Sequence, residues 1–384
     1  MNIGFDAKRA YHNQTGLGHY SRTLIRSLAN GFPQHQYFLF NPKPSNLFFF
    51  DALQNVQEVQ PQTFITKQLS SLWRSNWVKS DLKKLKIDLY HGLSHEIPVD
   101  IQRTGIKSVV TMHDLIHERY PEQYKAIDRK IYTKKFRYAC EHADRIIAIS
   151  EQTKSDLIEF YQTPADKIDV CYQSCNPAFG ETLSAEFKER IRKHYQLPDE
   201  YFLYVGSIIE RKNLLNLCKA VELLQGERSL PLVVIGNGGE YKQKVKDYVT
   251  FHKLDEQIIF LSDSPVAKYA PRFQSAEDFP AIYQIATAMI YPSVFEGFGI
   301  PVLEALWSRI PVITSNVSCL PEAGGDGAFY VDPTSPEEIA NQMKQILNDP
   351  DFAAQQVEKG WQHAQRFTNE ATAAKVMDVY TKLF

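Results

Sequence analysis

Two glutamates separated by seven residues, Glu296 and Glu304, lie within the segment Tyr291-Pro-Ser-Val-Phe-Glu-Gly-Phe-Gly-Ile-Pro-Val-Leu-Glu304. The apolar run ending at Tyr291 reads as a strand, Gly297 and Gly299 as a loop, and Pro301 as the first turn of a helix, where its missing N–H costs nothing. A strand, a glycine loop and a helix N-terminus together make an anion site, because free backbone N–H groups and the positive dipole end point the same way. Glu296, in the loop, would lie beside whatever is attached to that anion. Glu304, one turn into the helix, offers coplanar lone pairs that suit a diol. A second segment, Tyr204-Val-Gly-Ser-Ile-Ile-Glu-Arg-Lys-Asn-Leu-Leu215, ends a strand at Gly206 and sets Arg211 and Lys212 before a helix with Asn213 as its expected cap. Adjacent cations there can neutralise a diphosphate, Arg by a bidentate grip and Lys as a point charge. A third loop, Ile235-Gly-Asn-Gly-Gly-Glu240, brings Gly236 to the same edge. Taken singly, each piece also reads as a dipole-stabilised acid, a solvated basic pair or an ordinary turn. Their combination carries the chemistry.

The first half of the chain adds His113, at the end of the strand Ser108–Met112, and Gly16 and Gly18, which follow the first strand and open a helix. His113-Asp-Leu-Ile-His117 mimics a zinc-protease motif but has Asp where that motif needs Glu, and it starts at a strand end, so no metal is expected. The dinucleotide fingerprint is incomplete, since Ser21 stands where a third glycine belongs. Ser150 reads as the cap of the helix after it. The basic stretch Thr66–Lys86, with Trp73 and Trp77 four apart, reads in two ways. It is either a helix with its tryptophans in the core, or a surface that meets an anionic membrane.

Short apolar runs that alternate with amphipathic stretches must position these residues. Strands are expected at Met1–Phe5, Tyr37–Phe40, Asp88–Tyr90, Ser108–Met112 and Arg145–Ile149, with helices at Gly18–Leu28 and Pro121–His142. The pattern restarts after Asn176-Pro177. Strands follow at Tyr201–Val205, Leu232–Ile235, Ile258–Leu261, Thr287–Tyr291 and Pro311–Thr314, and helices close the chain at Pro336–Leu347, Phe352–Arg366 and Asn369–Leu383. Two such runs in 384 residues predict an α/β protein of two doubly wound domains. Their expected bounds are 1–178 and 179–366, with the hinge near Cys175–Phe179. A net charge of −2 excludes the strongly basic domain of a nucleic-acid binder. Five scattered cysteines point to free thiols in a reducing compartment. No secretory leader and no run of 18 apolar residues is present, so a cytoplasmic protein is expected.

The chain resembles the retaining glycosyltransferases of the GT-B fold, in the large family 4 class of bacterial enzymes. The resemblance rests on Glu296 and Glu304 within EGFGIPVLE, on Arg211-Lys212-Asn213, on Thr15 to Tyr20 and on Ile149-Ser-Glu-Gln-Thr-Lys-Ser-Asp-Leu157, all in the family's order. It implies two Rossmann-like domains facing a cleft, with 367–384 crossing back to the first. Glu296 would sit beside the donor sugar hydroxyls and Glu304 would hold the ribose. Arg211 and Lys212 would bind the leaving diphosphate, and His113 would lie near the sugar and assist. Gly16, Gly18, Gly206, Gly236, Phe298, Gly299 and Ile300 would line the donor. The implied reaction is transfer of a hexose, with retention, from a nucleotide-diphosphate sugar such as GDP-mannose or a UDP-sugar. The implied acceptor is a glycan or lipid-linked acceptor in surface polysaccharide synthesis. No cofactor beyond the donor is expected. A sugar-nucleotide epimerase and a non-catalytic partner of the same fold are the alternatives.

Overall fold

The chain's structure, a computed structural model, describes residues 1–45, 47–50, 52–226 and 229–384. These form two compact units, Met1–Ser174 with Phe367–Phe384, and Cys175–Arg366.

Unit 1 holds seven parallel strands: β1 (Asn2–Asp6), β2 (Gln36–Phe40), β3 (Val56–Val59), β4 (Leu89–Gly92), β5 (Lys107–Met112), β6 (Arg145–Ala148) and β7 (Ile168–Val170). Their order is β3-β2-β1-β4-β5-β6-β7. Unit 2 holds six: β8 (Phe202–Val205), β9 (Leu232–Ile235), β10 (Ile258–Phe260), β11 (Ala288–Tyr291), β12 (Val312–Ser315) and β13 (Phe329–Val331), in the order β10-β9-β8-β11-β12-β13. Each order reverses direction once, between β1 and β4 and between β8 and β11. Ligands of open α/β sheets bind outside the carboxyl ends of the strands at such a reversal.

Central strands are fully buried, as in Phe202–Val205 and Leu232–Ile235, because helices cover both faces of a parallel sheet. Three edge strands, β3, β7 and β13, escape the sequence reading. They have only three or four residues, and in β3 and β7 the polar Gln57, Glu58 and Asp169 interrupt the apolar pattern. Two helical expectations also change. Pro121–Gln123 forms a separate 3-10 turn, extended backbone at Lys125 breaks the chain, and the helix begins at Ala126. The basic stretch is four short pieces, Phe64–Gln68, Ser70–Leu72, a π-helical turn Trp73–Trp77 and Val78–Lys84.

The last helix, Asn369–Thr381, belongs to unit 1 and adds Ala373, Val376, Met377, Val379 and Tyr380 to its core. Tyr380 Oη lies 2.6 Å from His91 Nδ1, His91 Nε2 lies 2.8 Å from Thr111 Oγ1, and Thr111 Oγ1 lies 3.0 Å from Tyr20 Oη. All four side chains are buried, so the C-terminal helix is tied to β4, β5 and the first long helix, Gly16–Gly31, by one polar chain with no water to replace a lost member. Burial pushes the His91 imidazole down to about 3, so it is neutral at ordinary pH. Replacing Tyr380 with Ala should destabilise unit 1 by about 3–5 kcal/mol, and with Phe by about 1–2 kcal/mol, since only the hydroxyl is lost. Urea midpoints measure both. Equal losses for the two variants would show that the hydroxyl chain contributes nothing.

Candidate active site

The loop that follows β11 meets the turn that follows β8 at the reversal point of unit 2. Gly299 caps the helix Ile300–Trp307 with φ 116°, a left-handed conformation, and a Cβ there would press on Leu320 Cδ2 at 3.1 Å and Ala323 Cβ at 3.3 Å. Among the described residues, the N–H groups of Gly299 and Ile300 have no hydrogen-bond partner. Phe298, the residue before them, is buried.

Glu296 is the electrostatic centre. Its Oε1 accepts hydrogen bonds from Tyr291 Oη at 2.8 Å and Ser293 Oγ at 2.9 Å. It also forms ion pairs with Arg211 at 3.0 Å and, more loosely, with Lys212 at 3.9 Å. Burial pushes its pKa up, but the charges of Lys212 and Arg211 and the bonds from Tyr291 and Arg211 outweigh it, so the carboxylate is held below its usual value and ionised. All these contacts fall on Oε1; Oε2 has no protein partner among the described residues.

The two cations divide the work. Arg211 is built into the loop: its Nη1 also donates to the Phe295 carbonyl, and its own carbonyl accepts from Val294 N–H at 2.9 Å and Ser293 Oγ at 3.2 Å. Among the described residues Lys212 makes no hydrogen bond through Nζ, which lies 5.4 Å from the centre of the Tyr291 ring. Desolvation lowers its pKa despite the pull of Glu296. A dry cation with a distant counter-ion is the one available to a phosphate. Gly206 gives it room, because a Cβ there would approach Lys212 Cδ and Nζ to 3.3 Å. Gly236 has a different reason: its Cβ would overlap the Gly206 carbonyl at 1.9 Å, so it lets the loops after β8 and β9 touch.

Glu304 behaves in the opposite way to Glu296. Tyr283 Oη bonds its Oε2 at 2.9 Å, and no ion pair reaches it among the described residues. Burial pushes its carboxyl up to about 7, against that bond and the charge of Lys212. Asn213 does not cap its helix through its side chain. It sits at φ 62°, and its amide donates to the carbonyls of Pro292 at 3.0 Å and Pro333 at 2.6 Å, joining three loops.

Four supports escape the sequence reading. Ser318 Oγ donates to the Glu296 carbonyl at 2.9 Å and accepts from Glu296 N–H at 3.2 Å, while Cys319 Sγ contacts the Glu296 and Phe298 carbonyls at 3.0 Å each. Tyr283 and Ser293 complete the set. Nothing in the local pattern around Ser318 and Cys319 signals the role, which arises from the packing of the loop after β12 against that after β11.

In unit 1, His113 follows β5 as expected, but both ring nitrogens are engaged. Nε2 donates to the Leu93 carbonyl at 2.9 Å, which leaves Nδ1 to accept from Gln173 Nε2 at 3.1 Å. Burial pushes the imidazole down to about 4, so in this arrangement it is neutral and closed to proton transfer. His117 instead meets Tyr161 Oη at 3.1 Å. Ser150 caps its helix by accepting from Thr153 N–H at 3.0 Å. Gly18 is required by its turn, where a Cβ would meet the Asn13 carbonyl at 1.8 Å, and Gly16 opens on free space.

Two family models match the chain: Glycosyltransferase Family 4 over residues 15–179 and Glycosyl transferases group 1 over residues 187–363. The chain belongs to the glycosyltransferases. This glycosyltransferase is 28% identical over 403 aligned residues, covering 100% of both chains, to the O-antigen chain mannosyltransferase B of Escherichia coli. Among solved structures it superposes on sucrose-phosphate synthase from Thermosynechococcus elongatus with a TM-score of 0.78 at 18% identity, covering 100% and 99% of the two chains. It superposes on Anabaena HepE in complex with UDP-glucose with a TM-score of 0.72 at 16% identity, covering 100% of each chain. The fold is GT-B, two Rossmann-like parallel-sheet domains.

The raised carboxyl of Glu304 makes a signed prediction for this glycosyltransferase. The fold holds that proton more tightly than the unfolded chain, so the group's stabilising contribution is full below about pH 4.5 and is lost as pH rises through about 7. Glu304→Gln should therefore stabilise the ligand-free protein at pH 8, by about 1–3 kcal/mol, and leave it unchanged at pH 4. Chemical denaturation at the two values decides it; an equal effect at both would remove the buried-acid account.

Proposed function

We propose that this glycosyltransferase moves mannose from GDP-mannose to a growing surface glycan of the O-antigen type, with retention of anomeric configuration. The observation that carries the reading is the pairing of an ionised, half-free Glu296 with a dry, unbonded Lys212 beside open helix N–H groups. Full-length similarity to an O-antigen mannosyltransferase supports the sugar and the product class.

The donor's diphosphate would bind Lys212 and the N–H groups of Gly299 and Ile300. Glu296 Oε2 would accept from a sugar hydroxyl and Glu304 from the ribose. As the C1–O bond to the diphosphate breaks, charge builds on the leaving oxygen, where preorganised donors stabilise it. The acceptor hydroxyl forms the new bond at C1 on the same face. Its proton passes to the departing phosphate oxygen, since His113 has no free nitrogen to take it. Arg211 would act through Glu296 and Phe295 rather than on the phosphate itself.

Purified protein should hydrolyse GDP-mannose slowly without acceptor and transfer mannose with it. Lys212→Ala should lower the transfer kcat by about 10²–10³. Turnover of a UDP-sugar but not of GDP-mannose would overturn the donor, and an inverted linkage in the NMR of the product would overturn retention.

A lipid-linked acceptor on the cytoplasmic face is part of this proposal, with peripheral contact to an anionic bilayer. No helix among the described residues is long and apolar enough to cross a membrane. The helix Phe64–Gln68, however, buries nothing: Phe64 is 78% and Ile65 62% exposed, and Leu69, Leu72 and Trp77 continue the apolar surface. Trp73 is in the core, where its indole N–H donates to Asp81 at 2.7 Å. Lys67, Lys79, Lys83 and Lys84 supply the matching charge. Phe64→Ser with Ile65→Ser should abolish co-sedimentation with phosphatidylglycerol vesicles at unchanged stability, and Lys83→Glu with Lys84→Glu should weaken it. Vesicle binding that ignores both changes would refute the contact.

A further inference from the structure

The reversal point of unit 1, between β1 and β4, carries an unmatched positive charge. The chain leaving β1 runs Asp6-Ala7-Lys8-Arg9, and that leaving β4 runs to His95 and Glu96. The two carboxylates here, Asp6 and Glu96, are both taken. Arg74 ion-pairs with Asp6 through Nη1 and with Glu96 through Nη2 at 2.6 Å, and Lys135 holds the other Glu96 oxygen at 3.2 Å. Lys8 touches Asp6 only through its backbone N–H, at 3.2 Å. Among the described residues neither Lys8 Nζ nor the Arg9 guanidinium has a hydrogen-bond or ion-pair partner, although Arg9 is half-buried. Four cations thus face two acids.

The surroundings feel the surplus. Burial holds His95 and His113 neutral and the charge of Arg9 adds to it, and burial, Arg74 and Arg9 together lower the Lys8 ammonium against the pull of Glu96 and Asp6. Nearby imidazoles cannot relieve it, since His95 stacks on Phe136 at 4.1 Å and His113 is bonded through both nitrogens. Unpaired cations gathered where an open sheet binds ligands are an anion receptor, because a multiply charged oxyanion gives each a partner at once.

We propose that Lys8 and Arg9 form a phosphate site in unit 1 that grips the diphosphate of a phosphorylated acceptor, distinct from the Lys212 donor site in unit 2. The specific ligand rests on the glycosyltransferase reading above; the anion site does not. A half-buried guanidinium and an exposed ammonium, consecutive in the chain and near enough to feel each other's charge, suit two linked phosphoryl groups, one held bidentately and the other by a point charge.

Calorimetry on the full chain tests the site without turnover. Decyl diphosphate should bind the wild type and bind the Lys8→Ala/Arg9→Ala variant about 10–100-fold more weakly. A neutral decyl glycoside should show no difference between the two, and Lys212→Ala should leave decyl diphosphate binding intact. Kinetics with one saccharide presented on either carrier then read the acceptor. The double variant should raise KM only for the diphosphate-linked form, with acceptor-free donor hydrolysis unchanged. Decyl diphosphate binding that ignores Lys8 and Arg9, or that is lost with Lys212, would overturn the site. A rise in donor KM would also overturn it, by showing that these cations serve the donor. If binding behaves as expected but no sugar nucleotide is turned over, the anion site stands and the transferase reading falls.

Discussion

Burying a carboxylate is costly unless opposite charge and hydrogen bonds compensate, and unit 2 arranges its active edge around that constraint at Glu296. Arg211, Tyr291 and Ser293 supply the compensation on a single oxygen. Because Arg211 also binds the Phe295 carbonyl, the same contacts hold the loop after β11 to the turn after β8. The loop in turn sets Gly299 and the start of the following helix. Lys212, left at 3.9 Å, is desolvated without being satisfied. An arriving diphosphate would meet a cation that has little hydration to shed, which is how a preformed site favours charge on a leaving group.

Glu304 shows the complementary case. Two glutamates with seven residues between them stand in the loop and the helix after β11, yet one is kept ionised by cations and the other is raised by burial with only a tyrosine hydroxyl for company. Environment, not residue type, separates their roles. Unit 1 treats its histidines the same way: His91 and His113 are dry, doubly bonded and neutral, so they fix geometry and leave the positive charge of that sheet edge to Lys8 and Arg9.

Much of this was readable from the chain. The fully buried central strands are continuous apolar runs, and the glycine loop with Pro301 marks its helix start by local chemistry alone. Roles that depend on distant partners were not readable. The RK pair reads as two phosphate ligands, but Arg211 finds Phe295 across 84 residues of sequence and is absorbed into the scaffold. Asn213 reads as a cap, but its left-handed backbone turns the amide to Pro292 and Pro333. His113 stands at the expected strand end, but its neutrality comes from burial, against the bond to the Leu93 carbonyl, and its ring is fixed by Leu93 and Gln173.

The sequence by itself therefore determined the elements, their order and the edge at which the chemistry gathers, because periodicity, glycine and proline act within a few residues. Only the tertiary structure decided which charges are cancelled and which remain. It leaves Lys212, and not Arg211, open in unit 2, and it leaves Lys8 and Arg9 unmatched in unit 1. Burial and pairing are properties of the packed chain, and a charge's availability follows from what the fold brings within a few ångströms of it.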